Sequence, residues 1–338
     1  MNIALIGLGM VAGTHITAIR SSDQGLTLRG VLGRDPVRTA DFARLHGTQS
    51  YRSVEEIAQD ASVDFVILAT PPDARIEIIK SLAAAGKPIL MEKPIERDLA
   101  AATQIVEICE VAAVPLGIVF QHRAREASAA LKNALIAGTL GDIATVELRV
   151  PWWRDQGYYD APGRGSYARD GGGVMISQAI HTLDLAIWLL GPIAFVQALM
   201  RQTPLHALEA EDWAGALIEM ESSAVGTLMA TTAAYPGEAE TITIQGTLAK
   251  AHLSSGMLTL THLDGLVENF GAVTTTGGGV DPMAFTHTWH QSIVEDFAQA
   301  IALGRPPMVP GRSALHTHSV IDAMQTASRS GQRVKVPS

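Results

Sequence analysis

The sequence holds a single cysteine, Cys109, among 338 residues. An intramolecular disulfide is therefore excluded, and the expectation is a reducing, cytoplasmic setting. Cys109 sits in TQIVEICEVAA, a stretch of helical texture, and reads as a buried structural thiol rather than a nucleophile. A surplus of cations is also missing. Lys and Arg number 25 against 34 Asp and Glu, the formal net charge is -9, and no five basic residues run together. Such a surface disfavours DNA, RNA and anionic membranes as partners. No apolar run reaches the roughly 18 residues of a membrane-spanning helix. The opening MNIALIGLGM lacks the basic stretch, longer apolar core and cleavage site of a secretory signal, so folded-domain sequence is expected from residue 2.

What is plentiful is apolar side chain. Hydrophobic residues make up 47% and charged residues 17%, enough for a sizeable core, and the length suggests two domains. Buried strands are expected at residues 2–6, 28–32, 63–69, 88–91 and 116–120. Helices are expected between them at 11–20, 37–45, 54–59, 74–85 and 99–111. Five alternations in about 120 residues predict a Rossmann-type doubly wound parallel sheet over residues 1–121. From residue 122 to 338 the texture changes. A helix at 127–137 and a strand at 143–150 precede a polar aromatic loop, and a helix follows at 174–190. Strand candidates then crowd together at 195–200, 213–220, 224–232, 241–245, 249–253 and 257–260, before closing helices at 290–303 and 313–328. Few helices separate these strands, so the second domain is expected to be a large, mostly antiparallel open sheet with helices on one face. Residues 274–279, TTTGGG, read as a loop.

The first strand runs into GLGMVA. Gly7 permits a tight turn, Gly9 admits a close pyrophosphate, and small Ala12 lets helix pack on strand. With the helix N-terminus supplying amides, Gly7, Gly9, Met10 and Val11 are candidate dinucleotide contacts. After the second strand stand Gly33 and Arg34, where an acid would read an adenosine ribose. The missing acid and the added guanidinium favour NADP over NAD. Asp35 beside them pulls the other way, and Arg34 stacking on adenine would suit either cofactor. Thr70 and Pro71 close the third strand at the same sheet edge.

The ordered set GLGMVAGTH, ATPPD, GKPILMEKP, FQHR, GGGVMISQAIHTLD and DFAQAI resembles the glucose–fructose oxidoreductase/inositol dehydrogenase (Gfo/Idh/MocA) family over nearly the whole chain. The resemblance implies an N-terminal Rossmann domain and a C-terminal domain with a large open sheet. It also implies hydride transfer between NAD(P) and a hydroxyl carbon of a sugar, inositol or related compound, such as a sugar acid. The EKP lysine falls on Lys93, beside Glu92 at the cofactor edge; the catalytic histidine falls on His181 and the aspartate after it on Asp184. Many members carry aspartate four residues before the histidine, where Ser177 stands here. The chain is similar instead to a subgroup with a polar amide nearby, here Gln178. Many members also carry histidine at the place of Arg75, which is accordingly assigned no role.

Alcohol oxidation needs a base for the hydroxyl proton, a task that suits imidazole. His181 is read as that base and Lys93 as the cation that orients oxygen and stabilises developing alkoxide. The reverse assignment requires burial to lower the lysine pKa. Asp184, three residues on, shares a helical face with His181 and either orients it, binds substrate hydroxyls or steadies the helix. No metal is expected. His287 and His290 read as a solvated helical face, and His316 and His318 as pointing apart. Candidate sugar contacts in the aromatic loop are Trp152, Trp153, Arg154, Tyr158, Tyr159, Arg164 and Tyr167, joined by Gln121, His122 and Arg123. An NAD-recycling glycoside hydrolase and a non-catalytic cofactor-binding regulator are the competing readings; retention of Lys93 and His181 opposes the latter. A homodimer or homotetramer is expected, because the large sheet needs a cover.

Overall fold

The computed structural model describes residues 1–338 apart from Thr276, Val280, Pro282 and Ser338. The chain divides into two compact units. One comprises Met1–Gln121 with His287–Leu315, the other His122–Thr286 with His316–Ser338.

In the first unit six parallel strands, β1 (Asn2–Ile6), β2 (Thr27–Leu32), β3 (Gln49–Ser50), β4 (Phe65–Leu68), β5 (Ile89–Glu92) and β6 (Leu116–Val119), lie in the order β3-β2-β1-β4-β5-β6. This is the doubly wound order whose reversal beside β1 opens a crevice at the carboxyl ends of the strands. Between the strands run α1 (Ala12–Ser21), α2 (Pro36–Leu45), α3 (Val54–Gln59), α4 (Ile76–Ala84) and α5 (Leu99–Val111). Every residue of β4, β5 and β6 is buried, as a sheet covered on both faces requires. Cys109 is buried in α5, and burial pushes its thiol up to about 12, the behaviour of an inert core group.

The second unit opens with α6 (Glu126–Ile136), β7 (Ile143–Pro151) and the short α7 (Gln156–Tyr159). Then come α8 (Ile180–Leu190), β8 (Ile193–Arg201), β9 (Trp213–Met220), β10 (Val225–Thr231), β11 (Thr241–Gly246), β12 (Ala249–Ser254), β13 (Met257–His262) and β14 (Val267–Gly271). With β15 (Val334–Lys335) they form a nine-stranded sheet, β14-β13-β12-β11-β7-β10-β9-β8-β15. Among the described strands of this sheet, only the central β7–β10 pair is parallel. Val146, Leu148 and Val150 of β7 alternate inward with Ile242 and Ile244 of β11 and Leu228 and Ala230 of β10, and all are buried. α6 and α8 cover that face. Residues 274–279 carry neither helix nor strand at their described positions; Thr276 lies outside the described residues.

Two expectations need correction. Residues 287–315 were placed with the second domain, but α9 (Thr288–Leu303) packs in the first unit. Phe297 meets Phe65 edge-on at 5.3 Å. It also lies so close to Gly117 that a Cβ there would sit 2.7 Å from its ring. The Ile118 amide donates to Val309 at 3.0 Å. The last helix, α10 (Gly311–Ser330), begins in the first unit and ends in the second. Second, 174–190 is not one α-helix: Met175–Ala179 form a π-helical turn ahead of α8. Glu211 pins the start, accepting from the Gly173 and Met175 amides at 3.2 and 3.1 Å. A Cβ on Gly173 would fall 1.7 Å from the Glu211 carbonyl oxygen, so only glycine fits. A π turn holds more residues than an α turn, which re-aims everything after it, His181 included.

Candidate active site

β1 ends on Gly7. Its φ is +103°, and a Cβ there would lie 2.5 Å from the Ala69 carbonyl carbon. At Gly9, by contrast, a Cβ would meet nothing within 4 Å. Open space therefore stands before a bare backbone, as close approach of a pyrophosphate requires. Ala12 is fully buried, Met10 is exposed, and no side chain among the described residues caps α1. Ala12 N–H donates to Gly9 O at 3.2 Å, while the next two amides of α1, Gly13 and Thr14, make no such bond among the described residues, so the turn fits a dinucleotide phosphate.

Beyond β2, a Cβ on Gly33 would lie 2.8 Å from Thr39 Oγ1, which explains why no acid stands there. Asp35 caps α2, accepting from the Val37 and Arg38 amides at 2.9 and 3.2 Å. Both bonds fall on Asp35 Oδ1, which turns that oxygen onto the α2 amides. Arg34 is exposed.

β5 leads into Lys93, half-buried, and a cis Pro94. Glu92, counted among cofactor contacts, turns inward instead. His15 Nε2 donates to Glu92 Oε1 at 2.8 Å, and His290 Nε2 lies 3.8 Å from the same oxygen. The two imidazoles meet edge-on at 5.4 Å. Burial alone would push the Glu92 carboxyl up, but the bond from His15 and the neighbouring cations hold it down at about 2. His290 is 2% exposed, which corrects its reading as part of a solvated face, and burial pushes it down to about 3 against the pull of Glu92. An unfolded chain takes up this proton near the ordinary 6.5, while the folded chain refuses it until about 3. Folding stability should therefore fall as pH drops through that window, by about 1.4 kcal/mol per pH unit for one such proton. Urea unfolding from pH 6 to pH 4 measures it: the slope should be shallower in His290→Gln, and an identical slope would contradict this origin.

Arg75, given no role, is a fully buried cation. It donates through Nε and Nη2 to Thr70 O at 3.1 and 2.7 Å and through Nη1 to Glu92 O at 2.6 Å, and also reaches Pro94 O. It thereby ties the Thr70-Pro71 wall to the backbone around Lys93. Burial pulls its guanidinium down to about 10, still charged at neutral pH. Thr70 Oγ1 is buried and has no partner among the described residues.

In the second unit His181 is the second residue of α8 and 6% exposed. Its ring stacks on His122, centroids 4.9 Å apart and planes at 28°. His122 Nε2 lies 4.0 Å from Glu240 Oε1, which accepts from Arg125 Nη1 at 2.7 Å. Asp184 does not face a substrate: it is 0% exposed, and Arg123 grips it through Nε and Nη2 at 2.8 and 2.6 Å. Arg123 is likewise withdrawn from substrate reading. Tyr159 is packed away too, its hydroxyl 2.6 Å from Thr232 Oγ1 and its ring on His206. Trp153 stays half-buried beside Tyr235, and Gln178 and Gln121 each keep a buried Oε1 without a partner among the described residues. No cluster of three or more His, Cys, Asp or Glu suited to a metal ion occurs among the described residues.

A family of oxidoreductases with an NAD-binding Rossmann fold matches residues 1–120, and the GFO/IDH/MocA C-terminal domain matches residues 128–252. The chain belongs to the Gfo/Idh/MocA family. It is similar to D-apiose dehydrogenase of Paraburkholderia graminis, 25% identical over 99% of this chain and 89% of that one. It also resembles inositol 2-dehydrogenase of Rhizobium meliloti, 27% identical over 56% of this chain and 55% of that one. Among solved structures, levoglucosan dehydrogenase in complex with NADH and levoglucosan superposes with a TM-score of 0.89 at 22% identity, covering 100% of this chain and 99% of that one. The chain is thus an oxidoreductase of this family with an NAD-binding Rossmann domain. No helix among its described residues is long and apolar enough to cross a membrane.

For this Gfo/Idh/MocA chain, sequence reasoning missed Arg75, His15 and Glu240. A signal existed for two of them. Arg75, Ile79 and Leu82 fall on one helical stripe, as do Ala12, His15, Ile16 and Ile19, so each polar residue sits where its neighbours are buried. Glu240 precedes a strand and had no such pattern.

Proposed function

We propose that the chain moves hydride between a nicotinamide dinucleotide and a hydroxyl-bearing carbon of a sugar, polyol or sugar acid. What supports this is, in the first unit, a dinucleotide-fitting turn at Gly7–Gly9 with Lys93 beyond β5 and, in the second unit taken by itself, a shielded imidazole at His181. A nicotinamide dinucleotide held at the Gly7–Gly9 turn would supply the hydride acceptor or donor. Lys93 steadies the hydroxyl oxygen as it gains negative charge, and His181 takes the hydroxyl proton, leaving a carbonyl. Stacking on His122 holds the imidazole in one orientation. Gln121, Trp153 and Gln178 are the residues proposed to meet substrate hydroxyls, and Met10, Val11, Thr70 and Pro71 to line the cofactor. A panel of polyols, sugars and sugar acids with NADP and NAD tests the reading. Nicotinamide reduction with at least one of them is expected. Release of an aryl leaving group without net reduction would replace the reading with transient-oxidation glycosidase chemistry.

The cofactor is proposed to be NADP rather than NAD. Gly33 places no acid at the end of β2 to repel a 2′-phosphate, Asp35 turns its Oδ1 onto the α2 amides, and exposed Arg34 stands between them. NADP should bind about tenfold tighter than NAD in the wild type, and Arg34→Ala should erase most of that difference, since a charge-assisted bond contributes roughly 1.5–3 kcal/mol. A wild type that binds NAD tighter refutes the choice.

A homodimer or homotetramer is proposed as well. The face of the large sheet opposite α6 and α8 exposes Leu199, Leu217 and Val225 together. Apolar side chains gathered on one sheet face mark a surface for a second copy. Light scattering should give at least twice the chain mass; a single-chain mass contradicts it.

A further inference from the structure

The aromatic loop of the second unit holds two arginines that no carboxylate neutralises. Arg164 Nη1 donates to the Tyr158 hydroxyl oxygen at 2.8 Å, and its guanidinium lies 4.6 Å from that ring's centre. Arg154 lies 5.5 Å from the same centre. Neither forms an ion pair among the described residues, although the chain carries 34 Asp and Glu against 25 Lys and Arg. Arg154 is 3% exposed, donates to the carbonyls of Trp153, Gly277 and Gly279, and keeps an unpartnered Nε. Two uncompensated cations on one ring, one of them withdrawn from water, create a local positive field inside an acidic protein.

Gln178 completes the group. It is 4% exposed, and its Nε2 donates to the same Tyr158 oxygen at 3.2 Å while its Oε1 has no partner among the described residues. Tyr158 therefore accepts two bonds, and its own proton is left to point at a further acceptor. Gln178 stands on the π turn three residues before His181. We propose that Arg164, Tyr158 and Gln178 form a subsite for an anionic group on the substrate, carboxylate or phosphoryl, and that Arg154 supplies field behind it. The inference rests on the proposed alcohol-oxidising reading and narrows it: the preferred substrates are sugar acids or sugar phosphates rather than neutral sugars. Arg164 offers the planar fork that grips such oxygens, Tyr158 adds an O–H donor, and the Gln178 Oε1 accepts a neighbouring hydroxyl.

Equilibrium binding tests this independently of turnover. The protein saturated with its reduced nicotinamide cofactor is titrated in a calorimeter with D-glucuronate against D-glucose, D-gluconate against D-glucitol, and glucose 6-phosphate against glucose. At least one anion should bind about tenfold tighter than its neutral partner. Carboxylates winning identifies a sugar acid, and the phosphate winning identifies a phosphorylated sugar. Arg164→Gln should bring the ratio to about one, Arg164→Lys should keep part of it, and Tyr158→Phe should weaken the anion several-fold. Neutral compounds binding as well as anions, no binding of any anion, or a preference that survives Arg164→Gln would overturn the subsite. Should Arg164→Gln fail to fold, the wild-type ratio and Tyr158→Phe decide. Anion binding without nicotinamide turnover would sink the hydride-transfer reading and leave the subsite standing.

Discussion

Replacing His181 by alanine lowers kcat by about 10²- to 10⁴-fold, the range for loss of a positioned general base. The side chain is 6% exposed and stacked on His122. Solvent is therefore poorly placed to substitute for it, which argues for the upper half of the range. Lys93→Met, close in length but uncharged, should cost about 10²- to 10³-fold, as removal of one donor to a developing oxyanion does. The two effects should differ in pH dependence. The wild-type kcat/KM for oxidation should rise as an imidazole loses its proton. His181→Ala should lose that limb, and Lys93→Met should keep it. KM for the cofactor should stay within about twofold in His181→Ala. Unchanged kcat in both variants would remove these residues from the chemistry.

The largest effect on stability is expected at the Arg123–Asp184 pair. Both side chains are buried, at 5% and 0% exposure, and the guanidinium meets the carboxylate through two parallel bonds. Thr317 Oγ1 approaches Asp184 Oδ1 at 3.5 Å, a marginal bond. Removing one partner strands a charge away from water, which costs about 3–5 kcal/mol. Asp184→Leu and Arg123→Met should each lose that much in urea unfolding. The double variant should regain most of it, because a well-packed apolar pair of similar volume is often neutral or better. Single variants within about 1 kcal/mol of wild type would show that the pair is not a buried charge couple. The pair also explains why Asp184 could be misread. Its spacing from His181 places it on the same helical face, but spacing does not say which face is buried against Arg123.

The first unit was legible because its strands are short apolar runs closed by Gly, Pro or Thr, and its helices carry clear caps such as Asp35 and Asp98. The second sheet was legible through alternation, with Trp213–Met220 matching the expected bounds. Strands without either signal went unseen. β14, Val267–Gly271, is a polar edge strand with hardly a buried residue, and β3 and β15 are two residues long. The π turn at Met175–Ala179 was invisible, since its cause is Glu211, thirty-odd residues downstream. At the proposed site, the glycine turn was legible as a strand–turn–helix signal, and Lys93 and His181 were named only through the ordered motifs that resemble the family. What surrounds them could not. Glu92 points to His15 and His290 rather than outward, and His122 backs His181 with Glu240 behind it. These contacts join residues 59 or more positions apart, and no local period encodes them.

Direct hydride transfer can be followed with a substrate deuterated at its carbinol carbon, the panel having identified which compound is turned over. Mass spectrometry of the nicotinamide after one turnover should find deuterium transferred to it without exchange with water, and the label should slow kcat. Reduced cofactor lacking deuterium, or turnover that leaves the cofactor oxidised while a leaving group departs, would contradict hydride transfer as the net reaction.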